Sequence, residues 1–476
     1  MNQSACPCRN LLCRNFQFTS PKYGGNTGLV KPLTGFMPSL VQNLAKCKNT
    51  DSAPQKVFEA VLSGRNTYQL KMVLLDGNYS ALSKDESVLH FYRDWTALIP
   101  DTRNFLHPKY LNVLGAGSPK NGLAALIYDK EGKKAIAAFA FQLTELPGSV
   151  LQSYVAGPTD PSASAPKTHN AFKRFGASII RSGLKRFSFR LLVSGNVFAS
   201  SEPGYFFSDL TSIEQRGEIL RATYEKAGAL LKKVNDVDIE LYLVSSDRST
   251  PDLPAQDFHV FDAEPEMIFG IRAEWNSFSD YLSDLSSKYR VWAKKIIKST
   301  ENLRLETLSL EQIQQNNSLL NKLYLNVASR ADFNMAWLDG DYFMRMKETF
   351  GEDFKVKVWR TEAGKVIGFH TSLLSRLDTF SALDAHFLGM DYNESKNYRL
   401  YPRILYDLVE QGIEANADVV RYGRTASESK SIIGASAHPT SYALKHRNPL
   451  FHRVLGPFLR ALESPKWTAR QPLKSN

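Results

Sequence analysis

The chain has 476 residues, the length of two or three domains of about 150 residues each. Its 43% hydrophobic and 11% aromatic content suits a buried core rather than a disordered chain. No apolar run approaches the roughly 20 residues of a spanning helix, so no integral membrane protein is expected. The net charge of +11 draws anionic partners (nucleic acid, phospholipid headgroups, a phosphorylated cofactor or an acidic carrier protein) without choosing among them.

All four cysteines, Cys6, Cys8, Cys13 and Cys47, lie at the N-terminal end. The rest of the chain therefore has neither a disulfide framework nor cysteine metal ligands, and a cytoplasmic setting without a bound metal is expected. No Asp or Glu precedes Asp51. Residues 1–71 are expected to be a disordered extension; an organellar transit peptide or an alternative start at Met72 are equal readings of the same composition.

From Lys84 to Pro100 the pattern is helical. Strand character follows at Tyr110 to Leu114, Ala124 to Tyr128, Ala135 to Leu143 and Val150 to Val155, with a hairpin turn at Asp129-Lys130-Glu131-Gly132. After a Pro/Ser-rich loop comes a basic amphipathic stretch, Phe172 to Phe187, then a strand from Phe187 to Val193, a helix from Ile213 to Val234 and a strand from Asp238 to Val244. That completes one α/β half, 72–257.

The order then recurs over 258–476. A Lys/Arg-rich helix leads in; a helix over Glu311 to Arg330 precedes a hairpin (Phe354 to Trp359, Lys365 to Leu374), a strand from Phe380 to Leu388, a helix from Pro402 to Ala415 and a strand from Val419 to Gly423. The two hairpins share wording, Glu131-Gly-Lys-Lys-Ala-Ile-Ala-Ala-Phe139 against Glu362-Ala-Gly-Lys-Val-Ile-Gly-Phe369, which favours an internal duplication.

Strand alternation puts Asp384, His386 and Leu388 on one face and Leu383, Ala385 and Phe387 on the other. His386 is then either a hydrogen-bonded core histidine or a general base. Lys396, Arg399 and Arg403 place positive charge at a helix start, where the dipole disfavours it unless an anion is held there. Beyond the next strand lie Arg424, Glu428, Lys430, Gly434, Pro439-Thr-Ser-Tyr442, Lys445 and His446.

Strand, Pro-started helix, strand, Gly423, Glu428-x-Lys430, Gly434 and Pro439-Thr-x-Tyr442 together resemble the predicted N-acyltransferases of the acetyltransferase-like superfamily. These are relatives of the peptidoglycan aminoacyl transferases, in the branch that includes bacterial ceramide synthases. The resemblance covers about the last 200 residues and extends to the first half only in architecture. It implies two tandem acyl-CoA N-acyltransferase-like (GNAT-type) domains, with mixed central sheets flanked by helices and the active site in the C-terminal half. Position 388 carries Leu where that branch often has Glu, and the Gly-rich pyrophosphate turn of ordinary acetyltransferases is missing.

The resemblance implies transfer of a fatty acyl group from acyl-CoA or acyl carrier protein to a primary amine, such as a sphingoid-like or sulfonolipid-like long-chain base. Catalysis would fall to His386, with Glu428 second as base, and to Lys430 or strand amides near Gly389 as oxyanion donors. The donor's phosphate would meet Lys396, Arg399 and Arg403; substrate contacts would come from Asp384, Tyr392, Arg424, Lys445 and His446. A lipid substrate brings in an anionic membrane surface, for which Phe172 to Phe187 and the stretch after Pro449 are the candidates. The alternatives are an aminoacyl-tRNA-dependent peptidoglycan-type transferase, to which the Lys288, Arg290, Lys294, Lys295, Lys298 run would be suited, and a catalytically silent lipid- or carrier-binding protein. A DNA partner is not expected.

Overall fold

The computed structural model describes residues 57–75, 85–99, 105–117, 122–147, 188–236, 238–239, 241–246, 258–330, 336–376, 380–460 and 467–474. The expected strand over Val150 to Val155 and the basic stretch over Phe172 to Phe187 lie outside them. Strands β1 (Phe58–Ser63) and β2 (Thr67–Leu75) form an antiparallel hairpin that lies largely inside the segment expected to be disordered and runs on past its end at residue 71. The acid-free leader had masked a strand alternation: Tyr68, Leu70 and Met72 are buried in one core and Val73 and Leu75 in another. A start at Met72 would cut through β2.

Helix α1 (Glu86–Leu98) is capped by Asp85, which accepts from the Ser87 amide, and buries Val88, Phe91, Tyr92 and Trp95 at helical spacing. Tyr110 to Leu114, expected as a strand, belongs to helix α2 (Pro108–Gly117). Pro108 opens the helix, and a short run of buried apolar residues does not by itself separate strand from helix. There follow β3 (Gly122–Tyr128), β4 (Ala135–Pro147), β5 (Ser188–Asn196), the short β6 (Ala199–Pro203) and β7 (Tyr205–Phe207), helix α3 (Ile213–Asn235) and β8 (Leu241–Ser246).

Next comes β9 (His259–Gly270), a strand that its acidic, proline-containing sequence had hidden. After α4 (Phe278–Asp284), α5 (Ser287–Lys298) and β10 (Leu303–Thr307), the helix expected over Glu311 to Arg330 is two, α6 (Leu310–Gln315) and α7 (Asn317–Ala328), broken at Asn316. The chain continues through α8 (Tyr342–Phe350), β11 (Phe354–Thr361), β12 (Val366–Arg376), β13 (Ser381–Met390), α9 (Tyr392–Ser395), α10 (Leu400–Glu414), β14 (Val419–Arg421), α11 (Ser427–Ile432), β15 (Ser436–His446) and α12 (Pro449–Arg460). Among the described residues no helix is long and apolar enough to cross a membrane.

One sheet runs through the structure in the order β1-β2-β3-β4-β5-β8-β15-β9-β14-β13-β12-β11-β10, with β6 and β7 paired to β5 and β4. It is an α/β architecture of two tandem halves. In the first, β2 leads through α1 and α2 to the β3–β4 hairpin, then β5, crossover helix α3 and β8 parallel to β5. In the second, β10 leads through α6 to α8 to the β11–β12 hairpin, then β13, crossover helix α10 and β14 parallel to β13. The two hairpins with shared wording hold equivalent places. The strand of the first half equivalent to β13 is therefore β5, and not the Val150 to Val155 segment.

The halves interlock rather than meeting at a linker. β15, the last strand of the second half, lies between β8 and β9, and β9 lies between β15 and β14. The core is equally shared: Val73, Trp95, Tyr110 and Leu126 of the first half pack in one cluster with Leu320, Tyr342, Phe343 and Phe369 of the second.

On the other face of the second half, α10 is tied to the sheet by a buried polar network. Asp407 is 1% exposed and accepts two bonds from Lys357 Nζ (3.0 and 2.9 Å), one from Gln411 Nε2 (2.6 Å) and one from His370 Nε2 (2.8 Å). Trp359 Nε1, which can only donate, points at His370 Nδ1 (3.4 Å), so the imidazole proton is on Nε2, facing Asp407. Burial pushes the Asp407 carboxyl up, but the hydrogen bond from His370 and the hydrogen bonds and charge of Lys357 carry it well below the usual range. Asp407→Ala would leave Lys357 without its counter-ion and is expected to cost about 3 to 5 kcal/mol in urea unfolding, against a small change for the exposed Lys396→Ala.

Candidate functional site

Parallel pairing of β13 with β14 lasts three rungs, Ala382↔Val419, Leu383↔Val420 and Asp384↔Arg421. Above them the strands part. β13 stays with β12 as far as Met390, whereas the chain after β14 stays with β9: the Tyr422 amide donates to the Met267 carbonyl (2.8 Å) and the Met267 amide to the Gly423 carbonyl (3.0 Å). A notch opens between them. Gly423, Thr425 and Ala426 then adopt left-handed φ of 66°, 68° and 49°, which turns the chain away sharply at a cost of about 1 to 2 kcal/mol for each non-glycine.

Register places Asp384 and Arg421 at the foot of this notch, on one face, with Arg421 Nη1 3.8 Å from Asp384 Oδ1. One step higher on the same face, His386 comes from β13 and Glu266 from β9, whose Ile268 pairs with Arg421. Glu266 is 8% exposed, and its Oε1 is buried with no hydrogen-bond partner. Burial raises its pKa to about 7; Arg421, Arg424 and Lys430 pull it down and Asp384 pushes it up. A carboxyl poised near neutrality beside a notch has the properties of a general base. The sequence Asp262-Ala-Glu-Pro-Glu266 gave no sign of it because Glu264 and Pro265 form a β-bulge opposite Pro439, which restores Glu266 to the sheet.

His386 is found in a different environment from that of a base. Thr371 faces both His386 and Phe387 in a bulge, its Oγ1 accepting from the Phe387 amide (2.9 Å) and donating to the Phe387 carbonyl (3.1 Å). The expected alternation therefore fails after His386: Phe387 joins its side of the sheet, with ring centroids 4.6 Å apart, and Leu388 turns to the α10 side. The imidazole is layered between Phe105 (5.5 Å) and Tyr342 (5.7 Å), and Tyr342 Oη is 2.6 Å from its Nε2 and 3.0 Å from Tyr110 Oη. The residue as a whole is partly exposed, but its ring lies among aromatics, and burial lowers its pKa to about 3. It is neutral at pH 7 and too weak a base to take a proton from an ammonium group.

The other expected catalytic residues are engaged elsewhere. Lys430 is buried and donates to the carbonyls of Tyr422 (2.8 Å), Gly423 (3.3 Å) and Arg424 (2.6 Å), all the donors an ammonium has. Burial lowers its pKa to about 7 against the pull of Glu264 and Glu266. It staples the turn after β14 and has no proton left for an oxyanion. Glu428 is exposed and paired with Arg470. Gly389 is paired with Phe369 and closely overlaid by the α7 backbone: a Cβ there would meet Leu323 C and Tyr324 N at 2.5 Å, so its amide faces no open site. Among the described residues, no hydrogen bond, ion pair or ring contact joins His386 to Glu428 or Lys430.

Of the expected substrate contacts, Asp384 forms the foot of the notch and Arg424, stacked over Tyr442 (5.1 Å), lies beside Glu266. Tyr392 lies under Arg330 (3.8 Å) on α9. Lys445, over Phe258, and His446, against Phe451, lie seven and eight residues along β15 from His438, the partner of Glu266, or about 24 and 27 Å away at 3.4 Å per residue. They do not belong to the notch.

The anion site is better formed. Arg399, at φ 50°, occupies the N-cap of α10, and no side chain caps the helix. Its guanidinium lies over Trp292 (5.2 Å) and that of Arg403 over Trp359 (5.1 Å); each keeps a buried Nη1 with no hydrogen-bond partner. Lys396 is exposed at the end of α9. Arg403 Nη2 lies 3.7 Å from Glu410, two turns along the same helix, so at the helix start itself the free amides are accompanied by Arg399 and Lys396, groups of the kind that hold an anion. In the first half, the equivalent α3 is closed by the reciprocal Ser212–Gln215 cap and opens with Glu214.

No family model matches the sequence, and no curated protein does. Solved structures similar to the chain include Saccharomyces cerevisiae N-myristoyltransferase with bound myristoyl-CoA and inhibitors (11% identity over 86% of this chain and 92% of that one, TM-score 0.43). A tandem GNAT protein from the clavulanic acid biosynthesis pathway is 12% identical over 80% of this chain and 99% of its own, with a TM-score of 0.42. FemX is 10% identical over 70% of this chain and 90% of its own, with a TM-score of 0.39.

The neutral His386 has a consequence for stability. Its pKa of about 3 in the fold lies below the ordinary 6.5, so between those values the unfolded chain binds more protons and stability rises with pH. His386→Phe removes this contribution. Its urea midpoint is expected to fall less than that of the parent between pH 7 and about pH 4.5; equal falls would show that the imidazole titrates freely in the folded protein.

Proposed function

We propose that the chain is an N-acyltransferase that moves a fatty acyl group from a thioester to the primary amine of a long-chain base. The observation that supports this most directly is the pairing of the Glu266 carboxyl, on one side of the β13/β14 notch, with the uncapped, arginine-lined start of α10 at the carboxyl end of β13. Ligands of α/β sheets commonly bind beyond the carboxyl ends of parallel strands. A phosphate-bearing donor held at Arg399 and Arg403 would pass its flexible arm through the notch and present the thioester to the face that carries Glu266.

In this reading the acceptor enters as the free amine, its ammonium proton already released to solvent, and attacks the thioester carbonyl while the Glu266 carboxylate takes one of its two N–H protons. The C–S bond of the tetrahedral intermediate then breaks as the amide forms, and the thiolate leaves with the proton held by Glu266. Neutral His386, fixed through Nε2 by Tyr342, can turn its other nitrogen to the developing oxyanion as a donor. Asp384 and Arg421 set the charge at the foot of the notch. The resemblance of the Gly423 to Tyr442 string to the ceramide-synthase branch supports a long-chain amine as acceptor; acyl-CoA and acyl carrier protein both carry the required phosphate.

Purified protein is incubated with a long-chain base and either palmitoyl-CoA or palmitoyl carrier protein, and the products are read by mass spectrometry. An N-acyl product is expected, with a kcat that rises through about pH 7 as Glu266 ionises and falls about a hundredfold in Glu266→Gln. Absence of product with both donors would overturn the reading. Arg399→Ala and Arg403→Ala are expected to raise KM for the donor more than they lower kcat, because they hold a part of it that does not react.

A further inference from the structure

From the far end of β15 we infer an anchoring surface for an anionic lipid bilayer, built on the first turn of α12. Leu450 is 70% exposed and Phe451 62% exposed, side by side at the start of that helix. Their exposure is a constructed one. The Leu450 amide donates to Asn448 Oδ1 (2.9 Å), the His452 amide to the Asn448 carbonyl (2.9 Å) and the Asn448 amide to His446 Nδ1 (2.9 Å). Behind the turn, His259 Nε2 donates to the His452 carbonyl (2.7 Å), and the two rings lie 4.2 Å apart. The helix start is thus capped and pinned to β9, and two large apolar side chains are held in water.

Charge around this tip selects the partner. No Asp or Glu occurs between Ser429 and Leu462, and Arg447 and Arg453 flank the apolar pair, with the Arg447 side chain 61% exposed. Arg447 reaches Asp238, which also binds Lys232 at the end of α3, so this rim adds Lys232 and Lys233. Among the described residues of this group the acids are Asp236 and Asp238, both bound by Lys232, and the cations are in excess. An apolar wedge within a ring of basic side chains matches the interface of a bilayer carrying anionic headgroups: the wedge enters the acyl boundary and the cations stay at headgroup level. The tip is about 27 Å along β15 from the notch, so it anchors the chain and does not feed the site.

The full chain is sedimented with sucrose-loaded vesicles of phosphatidylcholine alone or mixed with phosphatidylglycerol, at low and high salt. Binding to the mixed vesicles is expected, reduced by salt and reduced about tenfold or more in the Leu450→Ser, Phe451→Ser double variant. Leu210→Ser, at an exposed leucine (62%) elsewhere, serves as the control for a general loss of surface apolarity. Absence of binding, or binding indifferent to the double variant, would overturn the inference. So would concentration-dependent self-association, by light scattering, that disappears in the same variant, since the tip would then cover a second copy.

Discussion

The three-rung pairing of β13 with β14 governs the second half of the molecule. A backbone that leaves one partner in a sheet must find its hydrogen bonds elsewhere, and each strand does so: β13 with β12 as far as Met390, the Tyr422–Gly423 segment with β9. The parting is enforced from both sides. The bulge at Thr371 bends β13, and the left-handed residues after β14, held by three carbonyl bonds from Lys430, carry the chain the other way. Lys430, which the resemblance had implied as a chemical participant, serves the notch by fixing its edge.

That edge depends on strand exchange. β14 contributes three residues and would make a weak edge alone; it is supported because β9 lies against it, and β9 is in turn held by β15, which pairs on its other side with β8 of the first half. Glu266 reaches the notch only because β9 comes from between the halves. The site is therefore a product of the interlocked chain, and a cut at residue 257 or 258 would separate β8 from the strand that ties it to β9.

Much of this was legible in the sequence where periodicity is strong. The β11–β12 hairpin, β13 and α10 lie where their alternation and 3.6-residue spacing put them, and the shared hairpin wording marks equivalent positions in the two halves. What failed did so for local reasons. β1 and β2 were hidden behind an acid-free leader, α2 by a short apolar run that suits either state, and β9 by Glu264-Pro265, whose bulge has no period of its own. His386 was found by type and face, but its aromatic surroundings come from Phe105 and Tyr342, far away in the chain, and these decide that it stays neutral. The pKa of Glu266 is likewise set first by its burial and then by Arg421, which lowers it, and Asp384, which raises it, both more than a hundred residues away and connected to it by no spacing rule.

The recurring order of elements also sharpens the difference between the halves. Both place a crossover helix after the strand that pairs in parallel, α3 after β5 and α10 after β13, and both helix starts carry the same unsatisfied amides by geometry alone. In α3 they are met internally: Ser212 and Gln215 cap each other and Glu214 adds a negative charge. In α10 no side chain closes the end, Pro402 removes one amide, and the charges added are positive. Arginines at a helix start oppose the dipole, and here Arg399 and Arg403 each hold a buried Nη1 without a hydrogen-bond partner, with Glu410 3.7 Å from Nη2 of Arg403 as a partial compensation. An anion at that point relieves the dipole, the uncapped amides and the orphaned guanidinium nitrogens at once. Two helices in one topological position thus have opposite needs, and under the function proposed above the donor's phosphate would meet those of the second.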